Sequence, residues 1–242
     1  MKSFYFYLII VYGYRKEYTK AIAYGTKNLE WLDEGTPAWL KTLELLTYAA
    51  LRSGQYDAAI THYLQATKHG LYEQNSTLMM RDVFKVYFAQ ISLMHEGGRY
   101  VPSKEYSDLF KDKFRLGNFM NDLEITEKDK SGLNVCVLFV DIAFKLIRGN
   151  ADQITERFEA IQKYLQRYAE EEGKGRVYSY AKLIEGGIKY NWKVKNLRNE
   201  AFFKAPLYHL ETTDVDILNM RFELEVLPYE ELWEFILERL PQ

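Results

Sequence analysis

The chain has 242 residues, a formal net charge of −2, one cysteine and five prolines. This length allows one large domain, two small domains or a single repeat array. The nearly neutral charge gives no reason to expect nucleic acid or an anionic membrane as a partner. The lone Cys136 excludes an intrachain disulfide and a cysteine-rich metal site. The chain has 20 tyrosines, 14 phenylalanines and 4 tryptophans, which favours helices packed through large side chains.

The chain begins with an uncharged apolar stretch at residues 4–12, preceded by Lys2. Nine apolar residues are too few to span a bilayer. The charged residues that follow, from Arg15 to Glu17, do not resemble a cleavage site. The stretch therefore predicts a buried first helix rather than a signal peptide. No other uncharged stretch approaches membrane length, so we expect no membrane partner and a cytoplasmic location.

The clearest internal unit spans residues 40–70 and contains two helical patterns separated by Gly54. Thr36 is a good N-cap and Pro37 suits the first helical position, so these residues predict the start of the first helix. Apolar residues that recur one helical turn apart indicate the inner faces. They are Leu43, Leu46, Ala50 and Leu51 in the first helix, and Tyr56, Ala59, Tyr63 and Ala66 in the second.

Part of this unit resembles the second half of a tetratricopeptide repeat, through the pattern Gly54-x-Tyr56-x-x-Ala59-x-x-x-Tyr63-x-x-Ala66. The resemblance implies that Ala59 lets the two helices approach closely and that Tyr63 fills the space between adjacent units. The chain departs from the family pattern at two positions. Leu71 stands where the family has proline, and Thr47 stands where it has glycine or alanine.

A weaker copy of the pattern precedes this unit, since Tyr18 lies 38 residues before Tyr56. Residues that match the first helix are Tyr5, Leu8 and Tyr12, and those that match the second are Tyr18 and Ala21. Ile9, Gly25 and Asn28 depart from the pattern. The copy is therefore a degenerate repeat.

Later segments predict helices of unequal length, at residues 76–95, 102–113, 133–148, 150–172, 176–185 and 228–240. The buried stripe of the last helix is expected to consist of Leu232, Trp233, Ile236, Leu237 and Leu240. Asn150 and Gln153 have the spacing of a capping box. The glycines Gly54, Gly98, Gly149 and Gly186 are expected to end helices, and they lie 44, 51 and 37 residues apart. Residues 114–132 and 203–215 are expected to be connections. No strand is predicted, because the alternating residues 222–227 can be absorbed into a helix.

The expected fold class is all-α, a right-handed α-solenoid of antiparallel helix pairs, similar to a tetratricopeptide superhelix with irregular repeats and about ten to twelve helices. Residues 1–113 are expected to form tetratricopeptide-like hairpins, and residues 114–132 a connecting loop. Residues 133–242 complete one continuous array as degenerate repeats with a C-terminal capping helix. Residues 114–240 also resemble uncharacterised bacterial tetratricopeptide-like proteins, through FRLGNF and PYEELWEFIL. That resemblance implies a fold and no activity.

Residues that could carry chemistry do not form a recognisable constellation. His62 and His69 share a helical face but lack further metal ligands at suitable spacing. Cys136 lies in an apolar helix, which indicates a buried thiol. The acids of the last helix, Glu230, Glu231 and Glu234, are expected to form a solvated face. We therefore predict no catalytic residue, no metal, no cofactor and no enzymatic activity.

A basic segment with interleaved aromatic residues is the second candidate site, formed by Lys189, Trp192, Lys193, Lys195 and Arg198. Tyr190, Phe202 and Phe203 lie within or beside it. Such a composition can bind single-stranded nucleic acid through phosphate contacts and base stacking. Residues 211–242 carry a local charge of −7, so neutralisation of one segment by the other is the simpler account. Nucleic-acid binding is kept as the alternative function.

The uncharged residues 4–12 pose a packing problem, because a helix that is apolar all round must be covered on both sides. A terminal helix of a solenoid should instead be polar on its outer face. Two explanations remain open. Either the chain is the C-terminal part of a longer protein with earlier repeats, or residues 4–12 form a homodimer contact.

The function that these features favour is a non-catalytic protein–protein interaction scaffold that binds a peptide or helix in a concave groove. In the resembled family, the groove is lined mainly by first helices. The resemblance therefore implies a groove lined here by Phe6, Ile10, Lys41, Glu44, Lys85 and Phe88. The expected partner is a protein or a peptide.

Overall fold

The structure is a computed structural model that describes residues 2–123, 133–172, 175–214 and 224–240. Every regular element in these residues is helical, with thirteen α-helices and three short 3-10 helices. The all-α prediction is therefore confirmed. None of the helices in the described ranges has the length and apolar character needed to cross a bilayer.

The chain divides into two compact units, residues 1–130 and 131–242. The division falls within the predicted connection 114–132, of which residues 124–132 lie outside the described residues. Leu116–Asp122 form an α-helix, so the expectation of a loop is wrong for these residues. Part of the segment 222–227 and the end of the predicted connection 203–215 also lie outside them. The two units are described separately below.

Unit 1 has its helices at α1 Lys2–Tyr14, α2 Tyr18–Leu29, α3 Pro37–Arg52, α4 Tyr56–Thr67, α5 Tyr72–Asn75, α6 Leu78–Glu96 and α7 Leu116–Asp122. A 3-10 helix occupies Ser107–Phe110. α2 packs against both α1 and α3, and α3 also packs against α4 and α6. α3 is buried over residues 42–51, so this helix forms the centre of the core of unit 1.

The start of α3 agrees with the sequence prediction. Thr36 is extended, and its hydroxyl oxygen accepts a hydrogen bond from the backbone N–H of Trp39 at 3.4 Å, while Pro37 occupies the first turn. The predicted helix 76–95 is also confirmed, with a start at Leu78 and a cap from Thr77. Capping by these hydroxyls satisfies backbone donors that the first helical turn leaves without partners.

The helix bounds at the start of unit 1 recur after 38 residues. Both ends of α4 lie 38 positions after the ends of α2, and the end of α3 lies 38 positions after the end of α1. The turns recur as well, since Lys16 and Gly54 both have positive φ angles, of 57° and 70°. The spacing between Tyr18 and Tyr56 in the sequence is therefore also the spacing of the helices.

The predicted helix 102–113 is wrong, because this segment is extended apart from a turn and the 3-10 helix Ser107–Phe110. Pro102 lacks a backbone N–H and disfavours a helical conformation in the residue before it. Side chains then hold the segment against α4, where the Tyr106 and Thr61 hydroxyl oxygens lie 2.7 Å apart. The hydroxyl of Tyr100 donates a hydrogen bond to Asp57. These contacts replace the expected helical hairpin.

Unit 2 has its helices at α8 Leu133–Ile147, α9 Thr155–Glu172, α10 Arg176–Lys189, α11 Val194–Asn199, α12 Lys204–Thr212 and α13 Tyr229–Arg239, with 3-10 helices at Ala151–Gln153 and Ala201–Phe203. The predicted helix 133–148 and the buried stripe of the last helix are confirmed. Phe235 of α13 is also fully buried, so α13 buries more of its surface than an amphipathic cap would.

Three sequence expectations for unit 2 are wrong. The side chain of Asn150 makes no capping hydrogen bond, and α9 begins only at Thr155. The predicted connection 203–215 contains α12, because Pro206 lies in the first turn of that helix, where proline is tolerated. Residues 224–228 form neither helix nor strand.

The glycine pair Gly186-Gly187 was also expected to end a helix, and instead lies inside α10. A Cβ atom on Gly186 would lie 2.4 Å from the ring of Phe203, and one on Gly187 would lie 2.4 Å from the ring of Trp192. These two glycines therefore let aromatic rings approach the backbone of α10.

Candidate functional site

A cleft of about 190 Å³ opens beside α6 in unit 1. One wall is a face of α6, formed by Phe88, Ser92, His95 and Glu96. The opposite wall comes from the chain after α6, through Leu109, Phe110, Asp112, Lys113, Phe114 and Arg115. The segment that was expected to form a helix and a connecting loop therefore supplies half of the cleft.

Three phenylalanine side chains line the cleft, and the ring of Phe88 lies near both of the others. The ring centroid of Phe88 lies 5.8 Å from that of Phe110 and 6.2 Å from that of Phe114. Behind them, Tyr63 of α4 stacks on Phe88 with centroids 5.1 Å apart, and Phe119 of α7 lies 5.6 Å from Phe114. The three lining rings are only half-buried, so part of their apolar surface faces the cleft.

Polar groups of the cleft hold its two walls together. The carboxylate of Glu96 accepts a hydrogen bond from the backbone N–H of Phe114 at 2.8 Å. The Nδ1 atom of His95 lies 3.1 Å from the carbonyl oxygen of Tyr100. Since a carbonyl oxygen can only accept, this ring nitrogen carries the proton. The His95 ring also packs on Phe110 at 4.8 Å.

Size and lining together indicate what the cleft can accept. Sites for drug-sized ligands usually enclose about 300–1,000 Å³, and this cleft is smaller. Its apolar surface comes from aromatic rings and from Leu109, and exposed charged residues lie at its edge. Such a cleft suits a single large apolar side chain better than a whole cofactor.

The predicted groove residues differ in their accessibility. Phe88 lines the cleft, and Lys85 lies one turn before it, with its amine bound to Asp82 at 3.0 Å and to the backbone carbonyl of Asp122. The chain itself therefore covers this part of α6. Phe6 and Ile10 of α1 are half-buried.

Glu44 is 3% exposed and forms an ion pair with Lys41 at 2.5 Å. Its expected position on an open groove is therefore wrong. Burial raises the pKa of the Glu44 carboxyl, and the positive charge of Lys41 opposes this shift. Lys41, in contrast, keeps a half-exposed side chain.

The basic segment of unit 2 has exposed cations but a buried tryptophan. Lys189, Lys193, Lys195 and Arg198 are exposed, while Trp192 packs beside Gly187 and lies 6.2 Å from the ring of Trp233. A buried ring cannot stack on a base, so the expected stacking role of Trp192 is wrong. Phe203 is buried as well, while Tyr190 and Phe202 are half-buried. Nucleic-acid binding through this segment stays a prediction, with Trp192 and Phe203 removed from its candidate stacking residues.

The segments of opposite charge in unit 2 meet in part. Arg198 forms an ion pair with Glu234 at 3.1 Å, as the neutralisation of the two segments requires. Glu230 is bound to Arg176, so it does not belong to a solvated face as expected. Glu231 is exposed.

The remaining residues singled out in the sequence occupy packing positions. Cys136 is buried, as predicted. His62 is half-buried, and His69 packs against Trp39 with ring centroids 5.2 Å apart. Among the residues that the structure describes, no group of three or more His, Cys, Asp or Glu side chains could hold a metal ion.

Sequence reasoning found one wall of the cleft and missed the other. Phe88 was predicted from its helix, but Phe110 and Phe114 were assigned to a helix and to a loop. The signal for them was the run of phenylalanines at 110, 114 and 119, which is too many large apolar residues for a solvated connection.

Comparison with known proteins finds no significant match to this chain among protein families, curated proteins or solved structures. The cleft is therefore interpreted from its own residues.

Proposed function

We propose that the protein is a non-catalytic interaction scaffold, and that the cleft beside α6 seats one large apolar side chain of a partner peptide. The observation that carries this proposal is the set of half-buried rings of Phe88, Phe110 and Phe114 around an open cleft of about 190 Å³. Aromatic residues in such partly buried positions are typical anchors of protein interfaces.

The edge of the cleft supports a peptide as the occupant. Asp112, Lys113 and Arg115 are exposed beside the aromatic wall. An apolar centre with a polar and charged rim is the usual arrangement of a protein interface. The rim residues would face the backbone and the polar neighbours of the inserted side chain.

We propose that the helices are arranged as a right-handed α-solenoid similar to tetratricopeptide arrays. The recurrence of helix bounds after 38 residues supports this arrangement. Tyr63 supports it too, because its ring lies 6.1 Å from Phe84 and 5.1 Å from Phe88 of the next long helix. This is the role that the resemblance implied for Tyr63.

A panel of short peptides tests the cleft. The peptides have the form acetyl-Gly-Ser-X-Ser-Gly-amide with X as Phe, Leu or Ser, and backbone amide chemical shifts of the full chain are followed by NMR. We expect saturable shifts at Phe114 and Leu109 with Phe or Leu at X, in the millimolar range that suits one anchoring side chain. The serine peptide should cause none, because it offers no apolar surface to bury.

Leu109→Lys is the matched test variant, since Leu109 lines the cleft and is 37% exposed. A charge at this edge should weaken binding of the phenylalanine peptide about tenfold or more. Leu78→Lys is the control, because Leu78 lies elsewhere on unit 1 and is 53% exposed. Equal binding by both variants, or equal shifts with all three peptides, would contradict the proposal.

A further inference from the structure

α1 exposes a row of large apolar side chains on one face. Phe4, Tyr7 and Val11 are 62%, 64% and 48% exposed, and residues spaced in this way lie along one side of a helix. The opposite side of α1 is packed, since Ile9 is 3% exposed. We call Phe4, Tyr7 and Val11 the α1 stripe. The sequence expectation of a helix covered on both sides is therefore not met within the described residues of unit 1.

The 38-residue recurrence shows what a covered version of this face looks like. The residues of α3 that lie 38 positions after the stripe are Thr42, Leu45 and Ala49. Their exposures are 0%, 6% and 2%. The same side of a helix is thus buried in α3 and open in α1.

At Thr42, α2 meets this face of α3. The side-chain amide of Asn28 donates a hydrogen bond to the Thr42 hydroxyl at 2.9 Å. Gly25 packs against Leu46, and a Cβ atom on that glycine would lie only 2.4 Å from Leu46 Cδ2. Ala21, one turn earlier on α2, is fully buried. α2 therefore packs on α3 through the small residues Ala21 and Gly25, which lie one turn apart.

We infer that the α1 stripe is a docking surface for one α-helix of another polypeptide, which presents alanine or glycine one turn apart as α2 does toward α3. The docked helix would continue the packing that α2 and α3 already show. Residues 3–14 carry no charge, so the contact is apolar and its affinity should change little with salt. The stripe shares no residue with the cleft beside α6, and neither proposal depends on the other.

A second copy of the chain is a poorer occupant. α2 and α4 carry the small residues that such a contact needs, but Ala21, Ala59 and Ala66 are 0% exposed in their own chain. A folded second copy therefore cannot present these small residues of α2 or α4 to the stripe.

A helical peptide tests the inference. The peptide has the sequence of residues 17–30 with Asn28 replaced by Ala. In α3, Thr42 accepts the hydrogen bond from Asn28, but the equivalent residue of α1 is Phe4, which offers no acceptor. A hydrocarbon staple on its outer face holds the helix, since isolated helices of this length are marginal in water. Fluorescence anisotropy of the labelled peptide is followed against the full chain. We expect saturable binding that differs little between low and moderate salt.

Two changes should each weaken binding at least tenfold. Tyr7→Lys places a charge in the stripe, and Gly25→Leu in the peptide blocks the close approach of the two helices. Tyr208→Lys is the matched control, because Tyr208 lies on α12 and is 67% exposed. It should leave binding unchanged. Val11→Lys serves as a second stripe variant if circular dichroism shows that Tyr7→Lys does not fold.

Several results would overturn the inference. These are the absence of saturable binding to the wild-type chain, and binding that neither stripe variant weakens. A wild-type mass that light scattering finds doubled, and that Tyr7→Lys returns to the monomer, would assign the stripe to a second copy instead.

Discussion

Arg176 connects the start of α10 to the end of α12 and to α13, although it is only 3% exposed. Its guanidinium donates hydrogen bonds to both carboxylate oxygens of Glu225 at 2.7 Å. It also donates to Glu230 and to the backbone carbonyls of Leu210 and Thr213. Burial alone would lower the pKa of Arg176, but hydrogen bonds and negative charge from the two glutamates raise it. The side chain is therefore a buried cation with its donors in use.

Removal of this cation should destabilise unit 2 strongly. We expect Arg176→Met to lower the free energy of unfolding by about 3–5 kcal/mol, because Glu225 would remain buried without its partner. Urea denaturation of the full chain measures the change. Arg198→Met is the matched control, since Arg198 and Glu234 form an exposed pair with side chains 47% and 46% exposed. That variant should cost less than about 1 kcal/mol.

A double variant separates lost packing from the unpaired charge. Arg176→Met with Glu225→Gln should recover part of the loss, because the amide oxygen of glutamine can still accept the hydrogen bond from the Tyr229 N–H that Glu225 now accepts at 2.9 Å. No recovery would mean that the guanidinium acts mainly through its shape and its bonds to carbonyl groups.

His62 makes the stability of unit 1 depend on pH. Burial lowers the pKa of His62 to about 4 from its ordinary value of 6.5. Its Nδ1 atom has no hydrogen-bond partner among the described residues. Between about pH 6.5 and pH 4, the unfolded chain binds a proton at this ring that the folded protein does not. The free energy of unfolding should therefore decrease as the pH falls, by about 2 kcal/mol between pH 8 and pH 5.

His62→Gln tests this prediction, because glutamine does not titrate. Urea denaturation at several pH values should give a flatter profile for the variant, and the gap between the two proteins should change by about 2 kcal/mol across the same range. Parallel profiles would show that His62 titrates normally in the folded protein.

At the scale of the element, five helices in the described part of the chain end in the same turn. In each, a backbone N–H donates to the carbonyl oxygen five residues earlier, just after a residue of positive φ, as in the Schellman motif. With the donor named first, the pairs are Glu17 to Tyr12, Gln55 to Ala50, Arg99 to Met94, Asn150 to Lys145, and Trp192 to Gly187. Glycine marks three of these turns, at Gly54, Gly98 and Gly149, while Lys16 and Asn191 stand at the other two. The sequence pattern of turn glycines therefore missed two turns and misplaced one at Gly186.

Lys16 is strained in this position, because a side chain disfavours the left-handed region by about 1–2 kcal/mol. We expect Lys16→Gly to raise the free energy of unfolding above that of Lys16→Ala by about 0.5–1 kcal/mol, since glycine relieves the strain but loses more entropy on folding. Chemical denaturation compares the two variants, both of which remove the lysine side chain.

Gly54→Ala is the converse test. No atom lies within 4 Å of the position of a new Cβ there, so any loss of stability would come from the φ angle of 70°. We expect a loss of about 1 kcal/mol. Equal stability of Lys16→Gly and Lys16→Ala would contradict the claim that the positive φ angle strains the residue at position 16.

At the scale of the whole molecule, the aromatic content of the sequence is used chiefly to pack helices, as predicted. In unit 2, Tyr180 stacks on Tyr229 with ring centroids 4.6 Å apart, and Phe203 stacks on Trp233 at 5.8 Å. In unit 1, the three phenylalanine rings of the cleft are half-buried, and Phe4 and Tyr7 of the α1 stripe are exposed. Both proposals for binding therefore rest on the aromatic side chains that the core leaves accessible.

Features that depend on neighbouring residues could be predicted from the sequence. The all-α class, the start of α3 at Thr36 and Pro37, the 38-residue spacing and the buried stripe of α13 follow from periodicity, caps and glycine turns. These signals act over one or two helical turns. Local signals were insufficient at three positions. The turn at Lys16 was not predicted, Asn150 does not cap a helix with its side chain, and Gly186 does not end one.

Only the tertiary structure decided which residues are accessible and which segments meet. Phe114 lies 18 residues from Glu96 and Arg176 lies 49 from Glu225, and no local pattern pairs them. The sequence predicts a stacking role for Trp192, but its ring is buried against the backbone of α10 at Gly187. The sequence by itself determined most of the long helices and most of their inner faces, because these depend on short-range spacing. The open cleft and the uncovered α1 stripe depend on how distant segments pack, since burial is a property of the assembled helices.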